Sequence, residues 1–107
     1  MKRVLFVCGR NRLRSPTAER MFCERRDLEV DSAGTSPDAE NPLTRELVDW
    51  AELIFVMEKA QLRKVQTRFG AALKSKRLVC LGIPDKLAYM EPALVALLRA
   101  KLAPYLS

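Results

Sequence analysis

Four short apolar runs, separated by segments with helical spacing, divide the chain. Residues 4–7 are continuously apolar, the pattern of a strand covered on both faces as in a parallel sheet. Residues 16–26 set Ala18, Met21 and Phe22 on one side and Glu19, Arg20, Glu24 and Arg25 largely on the other, which predicts a helix with Cys23 as a partly buried packing residue. A second strand is expected at 28–31 and a loop at 32–37. Residues 42–50 suit a short helix with Asn41 as N-cap, because proline is well placed at a first helical position. A third strand follows at 53–57, and Trp50 just before it is expected to pack between helix and sheet rather than serve as a substrate platform. In 58–69, Leu62, Val65 and Phe69 recur at helical spacing and Gly70 is the expected stop. A basic connection at 71–76, a fourth strand at 77–81 and an apolar helix at 91–102, buried through Leu94, Leu97, Leu98 and Leu102, complete the chain. This alternation predicts an α/β fold, a four-stranded, mostly parallel, doubly wound sheet with helices on both faces.

With 107 residues, 49% of them hydrophobic, the chain can supply one core, and a single domain over 1–107 is expected. Lys and Arg number 19 against 13 acids, a formal charge of +6. The excess crowds the first quarter at Arg10, Arg12, Arg14, Arg20, Arg25 and Arg26, a field that attracts anions. The three cysteines, Cys8, Cys23 and Cys80, are widely spaced, which points to a reducing compartment. With no histidine and no cysteine pair at ligand spacing, neither a metal nor another cofactor is expected. The first apolar segment is too short for a signal peptide or a membrane span, so a cytoplasmic location without membrane partners is the expectation.

The chemistry gathers where the first strand runs through a polar loop, Cys8-Gly9-Arg10-Asn11-Arg12-Leu13-Arg14, into the helix opened by Ser15-Pro16. Five residues between Cys8 and Arg14 let one loop wind around a tetrahedral oxyanion, so that sulfur meets phosphorus while the guanidinium grips two oxygens. Backbone N–H groups turned inward and the open donors of the helix N-terminus add positive potential. Asn11 is suited to a left-handed turn inside the loop. A thiol so placed is a candidate nucleophile, since such surroundings favour the attacking thiolate. Asp85, just past the fourth strand, falls on the edge of the sheet where Cys8 also lies.

Val7-Cys8, Asn11, Arg14-Ser15-Pro16-Thr17-Ala18-Glu19 and Asp31-Ser32-Ala33-Gly34-Thr35 resemble the low-molecular-weight protein tyrosine phosphatases, as a short variant. Residues 51–57 are similar to that family's third strand and Ile83-Pro84-Asp85 to its general-acid loop. The resemblance implies sheet order 2-1-3-4, Cys8 as nucleophile, Arg14 as phosphate clamp, Asp85 as acid, and Asn11 and Ser15 as loop supports. Gly9, Arg10, Arg12 and Leu13 complete the substrate-binding loop. The family's longer insertion after the second strand, which supplies an aromatic wall, is missing here, and Tyr89 is the only candidate to flank the substrate. Leu13 stands where the family has a second cysteine.

The expected function is therefore a metal-independent, cysteine-dependent phosphatase that hydrolyses phosphate monoesters through a phosphocysteine. Its expected partner is a phosphorylated protein or a small phosphate monoester, with phosphotyrosine protein or an aryl phosphate as the expected substrate. Two alternatives share the scaffold. A non-catalytic anion- or nucleic-acid-binding module would suit the loop arginines but has no need of Cys8 and Asp85 together, so nucleic acid is not the favoured partner. A thiol-dependent arsenate reductase needs resolving cysteines after the third strand, where Met57-Glu58-Lys59-Ala60 has none.

Overall fold

The computed structural model describes residues 2–106. Four parallel strands form one sheet in the order β2-β1-β3-β4. They are β1 (Lys2–Cys8), β2 (Leu28–Gly34), β3 (Leu53–Val56) and β4 (Arg77–Cys80). The helices are α1 (Arg14–Phe22), α2 (Arg45–Trp50), α3 (Lys59–Phe69) and α4 (Pro92–Leu106), with a 3-10 turn at Gly70–Leu73. This is the expected α/β architecture in the expected strand order.

Alternation along β1 builds the two layers. Val4, Phe6 and Cys8 face one core with Phe55, Met57, Ala18 of α1 and Leu94, Leu98 and Leu102 of α4. Leu5 and Val7 face the other with Ile54, Val56, Val48 of α2 and Val65 of α3. Every residue from Val4 to Val7 is fully buried, as a continuous apolar run requires of a central parallel strand. In the first core Phe6 stacks between Phe22 and Phe55, at 6.1 and 5.7 Å between ring centroids. Trp50 packs half-buried against the second core, as expected.

Several boundaries differ from the sequence reading. β2 runs on to Gly34 because Ser32, Ala33 and Gly34 pair with Phe6, Val7 and Cys8, so the expected loop is strand. Helix α1 ends at Phe22 rather than at 26, since Arg25 N–H bonds the Phe22 carbonyl at 3.1 Å and the Arg25–Asp27 pair closes a turn. Cys23 is consequently exposed, not a packing residue. Helix α2 begins at Arg45, capped by Thr44, whose hydroxyl accepts from Leu47 N–H at 3.2 Å. Asn41, the expected cap, instead donates its side-chain amide to the Ser32 carbonyl at 2.6 Å, and Pro42 bridges to Gly34. Gly70 is right-handed and continues the turn instead of stopping α3. Helix α4 extends to Leu106, with Leu106 joining the buried row.

Candidate active site

Cys8 ends β1 and Arg14 begins α1, so the five intervening residues form the turn between sheet and helix. Its path is set by the segment after β2. The carbonyls of Cys8, Gly9 and Arg10 accept from the N–H groups of Thr35, Ser36 and Glu40 at 3.0, 2.9 and 3.1 Å. In a trans peptide the following N–H points the opposite way, so the loop turns its donors inward. Asn11 N–H accordingly reaches Cys8 Sγ at 3.2 Å. Asn11 takes φ of 57°, the left-handed turn its residue type predicted. Gly34 lies under this turn, where a Cβ would meet Ala39 Cβ at 2.5 Å, the Gly9 carbonyl at 2.6 Å and Asn11 N at 3.0 Å. Only glycine fits at that contact.

A buried polar chain supports the loop from below. The Asn11 side-chain amide donates to Ser15 Oγ and Ser32 Oγ, both at 2.9 Å, and Ser32 O–H donates to the Glu19 carboxylate. Both Asn11 hydrogens are thereby used. Ser15 Oγ, already an acceptor, has Cys8 Sγ at 2.9 Å and the more distant Ala33 carbonyl at 3.5 Å for its own proton. Either Cys8 or Ser15 can donate across the nearer contact, and a Cys8 thiolate would accept from both Ser15 O–H and Asn11 N–H.

Arg14 is 4% exposed. Its Nη1 donates to the Ile83 carbonyl at 2.8 Å and pairs with Glu58 Oε1, while Nε lies 3.9 Å from Asp85 Oδ1. Ile83 N–H is bonded in turn to the Met57 carbonyl at 2.8 Å, which ties the Asp85 loop to the end of β3. Glu58, at the start of α3, is held by its own N–H, which donates to Gln61 Oε1 at 2.7 Å. A buried guanidinium is tolerated only with such partners.

These groups surround a depression of about 570 Å³. It is lined by Cys8, Arg14 and Asp85 with Gly9, Arg10, Arg12 and Leu13 of the loop, joined by Ser36, Glu58, Gln61 and Lys64. Asn11 and Ser15 sit beneath, buried, as supports. Tyr89 lies elsewhere: it borders a neighbouring depression with Asn11, Pro16 and Glu19, over the outer side of the loop. Met90 N–H bonds Thr17 Oγ1 at 3.0 Å and holds that segment against α1, so Tyr89 does not reach the expected flanking position. No aromatic side chain lines the Cys8 depression. Glu58, Gln61 and Lys64 are site residues that the sequence does not single out, and Ser32 and Glu19 stand in it only as members of the resembling motifs, without a role. Glu58 could have been singled out, since it follows β3 directly and so falls on the carboxyl edge of the sheet.

Among the described residues there is no group of three or more His, Cys, Asp or Glu side chains fit to hold a metal, and no helix is long and apolar enough to cross a membrane. All three cysteines are free.

Residues 3–52 match the family described as low molecular weight phosphotyrosine protein phosphatase. No curated protein matches the sequence. Among solved structures the chain is similar to the YwlE arginine phosphatase from Geobacillus stearothermophilus, with TM-score 0.73 and 22% identity over 99% of this chain and 93% of that one. A YwlE mutant from Bacillus subtilis is 25% identical with TM-score 0.69 over 99% of both chains. The low molecular weight protein tyrosine phosphatase SP-PTP from Streptococcus pyogenes aligns at TM-score 0.77 and 17% identity over 100% of this chain and 95% of its own. The likeness to the solved structures bears out the fold along nearly the whole chain, and the match over residues 3–52 bears out the resemblance to the low molecular weight protein tyrosine phosphatases, and with it a phosphatase hydrolase of the cysteine-based kind.

Proposed function

We propose that residues 1–107 make one cysteine-dependent phosphatase domain that hydrolyses phosphate monoesters through a phosphocysteine, with phosphotyrosine protein or an aryl phosphate as substrate. The observation that carries this reading is the convergence on one depression of Cys8 from the end of β1, Arg14 from the start of α1 and Asp85 from the loop between β4 and α4. In the first step Cys8 sulfur attacks phosphorus in line, the ester P–O bond breaks and the departing oxygen takes the Asp85 proton. Water then attacks the phosphocysteine and gives a proton to the Asp85 carboxylate. The S–P bond breaks, returning the thiolate and releasing phosphate. Arg14 and the inward N–H groups hold the equatorial oxygens throughout, supplying the positive charge that the reaction needs without a metal. Three free cysteines fit a reducing, cytoplasmic setting.

The test is hydrolysis of p-nitrophenyl phosphate under reducing conditions with chelator present. Wild type should turn over, Cys8→Ser should not, and loss of Asp85 should cost about 10²- to 10⁴-fold on an alkyl phosphate while sparing the good p-nitrophenolate leaving group. Phosphate binding without turnover by wild type would favour the anion-binding module. The arginine phosphatase among the similar structures makes phosphoarginine protein the rival substrate, decided by phosphoarginine and phosphotyrosine peptides assayed together.

A further inference from the structure

A depression of about 570 Å³ is larger than a phosphoryl group needs. It falls in the range, about 300–1,000 Å³, of pockets that take a whole small ligand. What lines it beyond Cys8 and Arg14 is polar and cationic. Arg10 and Arg12 come from the loop and Lys64 from α3, and all three are exposed. Lys64 makes no ion pair among the described residues. Arg12 meets Glu40 only at 3.5 Å with both side chains more than half exposed, a contact weak enough for a ligand to displace. The two carboxylates of the lining, Glu58 and Asp85, are both turned to Arg14, so among the described residues the only acids that answer Arg10 and Arg12 are Asp38 and Glu40, exposed residues outside the lining, and none pairs with Lys64. With no aromatic in the lining, selection by ring stacking has no counterpart here, whereas selection by charge has three residues available.

We propose that Arg10, Arg12 and Lys64 form a second anion subsite beside the phosphoryl seat, and that the substrate is a phosphorylated peptide segment with acidic residues on both sides of the phosphorylated one. This rests on the phosphatase reading and narrows its substrate class. The shared chemistry is a phosphate monoester with a second negative group nearby. A peptide suits it better than a small bisphosphate because the cations come from two segments, the loop after β1 and α3, and a chain laid along the depression meets both.

The measurement is binding by Cys8→Ser protein, which holds the substrate without cleaving it. Two phosphotyrosine peptides are compared, one with neutral flanks and one with glutamate on each side, together with 1,3-propanediol bisphosphate. The acidic peptide should bind about tenfold more tightly at low ionic strength, and that advantage should shrink severalfold at high salt. Adding Arg10→Gln and Lys64→Gln should remove most of the advantage. Equal binding of the two peptides, or an advantage that survives loss of the cations, overturns the subsite. A bisphosphate as tight as the acidic peptide overturns the peptide assignment. Turnover of p-nitrophenyl phosphate by wild type is followed separately, so failure of the phosphatase reading shows as absent turnover and failure of the subsite as an absent peptide preference.

Discussion

Arg14 is the residue on which the site's order depends, and Glu58 is what gives it a fixed direction. A guanidinium with five donors can turn in many ways. Here one nitrogen is shared between the Ile83 carbonyl and the Glu58 carboxylate and another approaches Asp85, leaving the plane set before any phosphate arrives. Glu58→Ala should therefore lower kcat/KM on p-nitrophenyl phosphate by about 10- to 100-fold through misplacement of the clamp. Glu58→Gln keeps an acceptor at the same place and should recover most of that loss. An alanine variant as active as wild type would remove Glu58 from any positioning role. The left-handed turn at Asn11 and the place of Cys8, Arg14 and Asp85 along one depression are legible in the sequence, because a left-handed turn favours Asn and the proposed roles of nucleophile, clamp and acid each demand a particular residue type. Glu58 is not, because a glutamate opening a surface helix has an ordinary reading, and only the fold reveals that Arg14 lies across from it. Tyr89 erred the other way, since residue type and spacing from Asp85 say nothing about the bond between Met90 and Thr17 that carries it to the far side of the loop.

The existence of each strand follows from its own residues, and its ends from the strand beside it. A continuous apolar run marks the buried middle of a parallel strand, but where pairing stops depends on the neighbour. Ser32 and Gly34 look like loop residues, yet β1 continues to Cys8 and offers them partners. The same neighbour relation explains why α2 starts late, since Asn41 and Pro42 are spent fastening the chain to the end of β2, and Thr44 is the next residue able to cap. Gly34 is the point where β2, the following segment and the anion loop touch. Replacing it with alanine forces a methyl group against two backbone atoms and Ala39, which should destabilise the fold by about 1–3 kcal/mol and push the loop out of shape. Urea unfolding measures the first effect and KM for p-nitrophenyl phosphate the second. A Gly34→Ala protein with wild-type stability and KM would mean that the loop can shift without cost.

The whole molecule carries its excess positive charge unevenly, and its exposed carboxylates answer that field. Asp27 is held below the ordinary carboxylate range first by its hydrogen bond from Arg25, Asp38 by the Ser36 hydroxyl with Arg10 and Arg12 nearby, and Glu52 by the Arg3 backbone N–H. A carboxyl with a lower pKa folded than unfolded binds fewer protons in the native state, so its contribution is complete above the unfolded value and fades as pH falls through the folded one. With ordinary values of 3.8 for Asp and 4.5 for Glu, the stability of this protein should be level near neutrality and decline below about pH 4. Protonation also adds to a formal charge of +6, so self-repulsion grows in the same window. Asp27 is the informative member, because Arg25 bonds both its carboxylate and the Leu106 carbonyl and so braces the end of α4 against the turn after α1. Urea midpoints of wild type and Asp27→Asn should differ at pH 7 and differ less at pH 3, below the ordinary aspartate value of 3.8, because the contribution of a lowered carboxyl fades as pH falls through its folded value. A gap of the same size at both pH values would assign the effect of Asp27 to shape rather than charge, and the acid sensitivity would then have to come from elsewhere on the surface.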